Sequence, residues 1–301
     1  MKSLAMGAVL WDIIEKQEYM GGAPFNLTAH LAQLGWDAAL LSCVGKDDRG
    51  RRAKTEMRKL GVNDRFIYEH AALPTGIAKV ALDGKGSPSY ELPHSAYDEI
   101  PWSETNIEQL WNFAPDILCF GTHEQRSVHN RKLLKSLIRS VKVKYIYYDV
   151  NLRLGFVPKD IIAELIDDSN ILKLNDQEVE CLSEALWDCS ASPESFCKRI
   201  ASEHELYCAV VTLGKEGCLL WYKGKATRIP GYAVKVKNTV GCGDAFSAGF
   251  LTALFKTGDP VRAADRGNYL GAYVAASEQA IPQYSGTMFH HIEEAEKNCI
   301  V

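Results

Sequence analysis

Short apolar runs alternate with amphipathic stretches along most of this 301-residue chain, and that rhythm narrows the folds open to it. Residues 38–44, 117–120, 145–149, 171–174 and 208–212 are brief and rich in apolar, β-branched or aromatic side chains. Strands buried on both faces read this way, because neither face meets water. Between them, residues 127–141, 159–168, 176–187 and 193–204 carry apolar positions at helical spacing. Upstream, Leu27, Leu31 and Leu34 mark a helix stopped by Gly35, and residues 48–60 form another stopped by Gly61. Residues 8–10 are expected to form the first strand. From position 244 onward the pattern is helical, over 244–257, 260–277 and 287–297. Strands alternating with helices at this spacing predict an α/β fold, a mostly parallel sheet covered on both faces. One stretch breaks the rhythm. Residues 77–82, the turn Asp83-Gly84-Lys85-Gly86 and residues 89–92 read as a hairpin without a helix. It is either an edge ornament or a small sheet lying over a site.

Composition removes several classes of function. The net charge is −4, and the densest basic cluster, Arg49, Arg51, Arg52 and Lys54, is flanked by Asp47, Asp48 and Glu56. That is a solvated helix face rather than a nucleic-acid footprint. No stretch approaches the ~20 apolar residues that span a bilayer. Residues 4–11 are apolar, but Asp12, Glu15 and Lys16 end the run, so a buried strand is expected there rather than a signal peptide. The nine cysteines are odd in number and form no C-x-x-C pair. Several sit in apolar runs, as small hydrophobes would, which points to a reducing compartment and a cytoplasmic location.

The chemistry concentrates in Asn238 to Ser247, NTVGCGDAFS. A glycine-rich turn feeding a helix start aims backbone N–H groups at one spot, with the helix dipole behind them. Such a cradle suits an oxyanion or phosphate. A carboxylate beside it is suited to taking a proton from a hydroxyl that attacks the anion. The same residues also make an ordinary helix start with Asp244 as N-cap. Other stretches fit the first alternative. GGAPFN (21–26) either lets a ligand approach the backbone and offers the Asn26 amide, or is a plain helix entry with Pro24 in the first turn. DVNLR (149–153) follows a strand end; if extended, it puts Asp149, Asn151 and Arg153 on one side. NDQE (175–178) reads either as a Mg²⁺ site or as a capping box. TLGKEG (212–217) is a hairpin turn or a phosphate loop. Gly45 to Gly50 has P-loop glycine spacing but Arg51 follows, and no G-x-G-x-x-G follows a strand. No His/Cys cluster has zinc spacing.

In order, these stretches resemble the ribokinase-like, or PfkB-type, carbohydrate kinases over nearly the whole chain. GGAPFN and DVNLR make the chain most similar to fructokinases. The resemblance implies a three-layer, mostly parallel sheet flanked by helices with a small β-sheet lid. It implies one domain over 1–301, with a discontinuous lid from about 11–20 and 75–97. An exposed lid sheet has unpaired edges and an apolar face that pairing would cover, so a homodimer through the lid is expected. The resemblance implies ATP-dependent phosphorylation of a sugar hydroxyl, a ketohexose such as fructose, with Mg²⁺. Asp244 is then the base, and Gly241, Cys242 and Gly243 form the anion hole. Asp12, Gly22, Asn26 and Arg153 bind substrate. Asn175, Thr212, Gly214 and Asn268 serve the nucleotide, and Glu178 the metal. The other readings are a nucleoside or small-alcohol kinase of the same family, or a sugar-binding regulator without activity. Three positions depart from the family pattern. Asn238 is neutral where many members carry Asp, which counts against K⁺ activation. Cys242 replaces the usual Ala, and a thiol at a helix N-terminus is expected to be acidic and reactive. Gln279-Ala280 replaces Gly-Ala. His94 stands where sugar-acid kinases of the family carry an Arg, which argues against an acidic sugar.

Overall fold

The computed structural model describes residues 1–14, 17–82, 88–152 and 158–284. Arg153 and the helix expected at 287–297 lie outside them. The chain opens with β1 (Lys2–Met6), β2 (Leu10–Ile14), β3 (Gln17–Gly21), α1 (Ala23–Gln33), β4 (Asp37–Gly45), α2 (Asp48–Lys59) and β5 (Ile67–His70). Then come β6 (Gly76–Leu82), β7 (Pro88–Glu91), α3 (Glu104–Phe113), β8 (Ile117–Gly121), α4 (Val128–Ser140) and β9 (Tyr145–Asp149). They are followed by α5 (Lys159–Asp167), β10 (Ile171–Asn175), α6 (Asp176–Trp187), α7 (Pro193–Glu203) and β11 (Cys208–Thr212). The last are β12 (Cys218–Tyr222), β13 (Lys225–Ile229), α8 (Cys242–Thr257) and α9 (Pro260–Ala275).

Among the described residues, nine strands form one sheet in the order β13-β12-β11-β10-β9-β8-β1-β4-β5. It is parallel from β5 to β11, and β12 and β13 add an antiparallel edge. A second sheet, β3-β2-β6-β7, contains the expected hairpin as its β6–β7 pair. Alternation along the strands sorts side chains to the two faces. Ala5, Ile117 and Cys119 join the core that includes α1, α8 and α9, while Leu4, Met6, Leu118 and Phe120 join the one that includes α4 to α7. Helix α8 is buried at every position from Ala245 to Leu254, as expected of a helix that is apolar all round.

The expectation for the first strand needs correcting. β1 ends at Met6, and Gly7, at φ 153, breaks the chain before β2 begins at Leu10. A side chain at Gly7 would lie 2.4 Å from the Pro24 ring, so the break lets β1 end against the start of α1. The apolar run continues through this break, so periodicity alone merges the two strands. The order of the sheet also places the site. β1 pairs with β4 on one side and β8 on the other, so the winding reverses between β1 and β8. In open α/β sheets, ligands bind beyond the carboxyl ends of the strands at such a reversal.

Candidate active site

A cavity of about 690 Å³ opens at that point. Its wall takes Ala8 from beyond β1, Thr122 and His123 from beyond β8, Asp149 and Asn151 from β9 and its end, and Asn175 and Glu178 from β10 and α6. Asp12 of β2 and Ala78 of β6 bring the small sheet to the same cavity.

Two helices start on this wall with glycine as N-cap and no side-chain cap. Gly22, before α1, has φ 107, and a Cβ there would lie 2.5 Å from the Ala8 carbonyl oxygen. Gly241, before α8, has φ 80, and its Cβ would lie 2.7 Å from the Ala280 carbonyl oxygen. Only glycine fits either place. The first-turn amides of a helix find no acceptor within it. That of Cys242 turns to the Thr239 carbonyl at 3.3 Å, while that of Gly243 has no acceptor among the described residues. The donor end of α8 therefore faces the cavity.

Asp244 sits in this first turn, and its Oδ2 accepts from Asn26 Nδ2 at 2.8 Å. Asn26 is buried, on the first helix, and its own Oδ1 has no hydrogen-bond partner among the described residues. A buried acceptor of this kind is costly unless something in the cavity donates to it.

Beneath α8 lies an ion pair. Lys173 Nζ donates to both oxygens of Asp149, at 2.9 and 3.0 Å, across the β9–β10 ladder. Ser247 Oγ, accepting from Tyr147 at 2.7 Å, lies 3.2 Å from Asp149 Oδ2 and 3.0 Å from the Gly243 carbonyl. A Cβ on Gly243 would stand 3.1 Å from Lys173 Nζ. Burial pulls the Lys173 pKa down, but Asp149, Glu178 and Asp244 push harder and leave it above the ordinary lysine value.

The capping-box alternative for 175–178 is realised. Asn175 Oδ1 accepts from the Glu178 amide, and Glu178 Oε2 from the Asn175 amide, both at 2.8 Å. Glu178 Oε1 takes the Leu152 amide at 2.6 Å. Burial raises the Glu178 pKa against the opposing pull of Lys173. Among the described residues, no group of three or more acidic, His or Cys side chains is placed to hold a metal. Glu178 therefore stands at the cavity with both oxygens already engaged.

Of the residues singled out in the sequence, Asp12, Gly22, Asn26, Asn175, Glu178, Thr212, Gly214, Gly241, Gly243 and Asp244 all line this cavity. Cys242 does not. Its thiol turns to the Asn238 carbonyl at 3.6 Å, and burial, then Asp244, pushes its pKa up to about 11. The expectation of an acidic, reactive thiol is thus reversed, because burial outweighs the helix terminus. Asn268 is also off the cavity wall. It is buried in α9 and donates to the Ile229 and Pro230 carbonyls at 3.2 and 3.1 Å, tying down the end of β13. Asn151 has φ 38, so the chain is not extended at that residue and simple alternation from Asp149 fails there. His94 lies beside Asp98 and Glu99 and is not among the residues that line the cavity. Lys173, Thr122 and His123 were missed. A lone lysine in the apolar run ILKL is itself a signal, since lysine is rarely buried without a partner. Thr122 and His123 follow a strand end just as DVNLR does.

The pfkB family carbohydrate kinase model matches residues 12–285. A Pyrococcus horikoshii protein described as a sugar kinase is 28% identical over 273 residues, covering 84% of this chain and 82% of that protein. Its crystal structure in complex with ATP superposes with a TM-score of 0.76 at 25% identity, covering 93% and 94% of the two chains. Fructokinase-1 of Oryza sativa is 28% identical over 283 residues, 87% of this chain and 84% of that one. A double mutant of the Vibrio cholerae fructokinase, bound to fructose, ADP and potassium ion, has a TM-score of 0.81 at 20% identity, over 96% and 97% of the chains. The chain belongs to the pfkB family of carbohydrate kinases and has its ribokinase-like fold.

Proposed function

We propose that this kinase transfers the γ-phosphoryl group of ATP to a hydroxyl of a ketohexose such as fructose, with Asp244 as general base. The observation that carries the reading is the Asp244 carboxylate, fixed by Asn26 at 2.8 Å beside the uncapped start of α8. A base needs a carboxylate held in one orientation. A migrating phosphoryl group needs donors where its charge builds. Asp12 on the small sheet and the unpartnered Oδ1 of Asn26 suit sugar hydroxyls. Asn175, whose Nδ2 has no partner among the described residues, and Thr212 and Gly214 suit the nucleotide phosphates. When bound, Mg²⁺ neutralises phosphate charge. With its oxygens engaged by the Leu152 and Asn175 amides, Glu178 would hold such an ion through water rather than directly.

The small sheet would close over the sugar as a lid. Ile14 and Tyr19 expose 43% and 52% of their surface on it, and pairing two lids in a homodimer would cover them. The potassium of the Vibrio protein has no counterpart in our reading. Asn238 here donates to the Glu278 carbonyl at 3.2 Å and accepts from the Val240 amide at 3.0 Å, so a neutral amide ties these two loops.

The test is a panel of sugars and nucleosides with ATP–Mg²⁺, read as ADP release. Fructose should turn over fastest; preference for a nucleoside would favour the neighbouring reading within the family. Asp244→Asn should lose roughly 10²–10⁴-fold in kcat, with sugar binding by calorimetry preserved. Near-normal turnover in that variant would remove Asp244 from the role of base.

A further inference from the structure

Lys173 is the one strongly buried cation among the described residues of the cavity wall. It is 6% exposed on β10, in the middle of the sheet. A buried charge is retained only where partners offset its desolvation. Asp149 is that partner, but Asp149 does not exhaust the ammonium. Lysine has three N–H groups. Two are spent on the Asp149 oxygens, and among the described residues no other protein atom accepts a hydrogen bond from the ammonium, Glu178 and Asp244 acting on it only through charge.

The remaining direction has a destination. Lys173 lines the cavity, and its Nζ would be 3.1 Å from a Cβ on Gly243. The ammonium therefore sits against the residue whose amide is unpartnered at the start of α8. Two independent donors, one a full charge and one a helix end, therefore lie side by side on the wall of the same cavity. Asp149 is held in turn by Ser247 of α8, which accepts from Tyr147 of β9. The ammonium is thus fixed before any ligand arrives, as electrostatic catalysis requires.

We infer that Lys173 is a catalytic residue that contacts the transferring phosphoryl group and stabilises the charge it carries between donor and acceptor. The inference rests on the kinase reading above. In the step, the sugar oxygen forms a bond to the γ-phosphorus as the bond from that phosphorus to the β,γ-bridging oxygen breaks. ADP leaves with the electron pair of the broken bond, and the hydroxyl proton passes to Asp244. Lys173 donates hydrogen bonds throughout and gives up no proton.

The experiment compares wild type, Lys173→Met, Lys173→Arg and the double variant Asp149→Asn/Lys173→Met. The substrates are ATP–Mg²⁺ and the sugar that wild type phosphorylates best. Inhibition by ADP with aluminium fluoride, a mimic of the transferring phosphoryl group, is measured beside inhibition by ADP alone. Lys173→Met should lower kcat by roughly 10²–10³-fold, the loss seen when one such donor is removed. Its affinity for ADP–aluminium fluoride should fall by the same factor while KM for the sugar and affinity for ADP hold. Lys173→Arg should retain part of the activity. The double variant keeps no uncompensated charge, so it tests the inference even if Lys173→Met folds poorly, and it should remain as slow. Recovery of kcat in the double variant would overturn the inference, leaving Lys173 as a mere counter-ion of Asp149. Equal weakening of ADP and ADP–aluminium fluoride, or unchanged kcat in Lys173→Met, would overturn it as well. A wild type that phosphorylates nothing in the panel would instead strike the kinase reading beneath it.

Discussion

Gly243→Ala separates stability from activity at this site. Gly243 is the second residue of α8, and its φ is not positive, so alanine meets no backbone strain there. On helix propensity alone the change would stabilise by up to ~1 kcal/mol. The added methyl meets Lys173 Nζ at 3.1 Å, closer than ordinary van der Waals contact, so the ammonium must yield by a few tenths of an ångström. It is tethered to Asp149 by contacts of 2.9 and 3.0 Å and has little room. Overpacking of this kind costs about 1–3 kcal/mol. The gain offsets only part of the cost, and urea denaturation should give a net loss between zero and about 3 kcal/mol, with m unchanged. Activity has no such compensation. The methyl occupies the space between the ammonium and the start of α8, and a misplacement of 1 Å costs about 10²-fold. A fall in kcat of roughly tenfold to a hundredfold is expected from ADP-release kinetics. In a Lys173→Met background the same methyl should cost little more, because both changes act on one partner. A Gly243→Ala enzyme with wild-type kcat would refute the convergence of Lys173 and the α8 terminus on the phosphoryl group.

Cys242 should resist alkylation. Its pKa of about 11 lies two units above the ordinary protein thiol value of 9.0, so its thiolate fraction at neutral pH is about 100-fold lower. Peptide mass spectrometry after iodoacetamide treatment should show the exposed Cys189 labelled first; equal rates would refute the assignment. Turnover should be the same in potassium and in tetramethylammonium salts, because the Asn238 amide already bridges to Glu278. A requirement for potassium in the wild type would contradict this. His30 is fully buried and stacked on Tyr284, and burial lowers its pKa from 6.5 to about 4 against a smaller opposing effect of the Ala280 backbone. The unfolded chain therefore binds a proton between pH 6.5 and 4 that the folded chain does not. Stability should fall as pH drops through that window, by up to roughly 3 kcal/mol. Urea midpoints at pH 7 and pH 4.5 should separate for wild type and draw together for His30→Gln; parallel behaviour would refute it.

Much of the frame was legible in order. Period-3.6 runs predicted α2, α4, α5, α6 and α7, and apolar runs predicted β4, β8, β9, β10 and β11, each to within a residue or two. These patterns are local, so a window of ten residues contains them. The glycine turn before α8 was legible for the same reason. The merging of β1 with β2 was an error of continuity, since the Gly7 break matters only once Pro24 and Glu124 are packed beside it.

The sequence alone determined the alternating layers, the glycine-led helix start and the family to which they belong. Tertiary structure decided which side chains meet. Asn26 and Asp244 are 218 positions apart, and Lys173 reaches Gly243 only because β10 runs beneath α8. Packing turned Cys242 and Asn268 away from the cavity that their motifs suggested. It also set their chemistry, because burial and neighbouring charge depend on residues distant in the chain. Periodicity reports which face of an element is covered, and only the folded arrangement supplies what covers it.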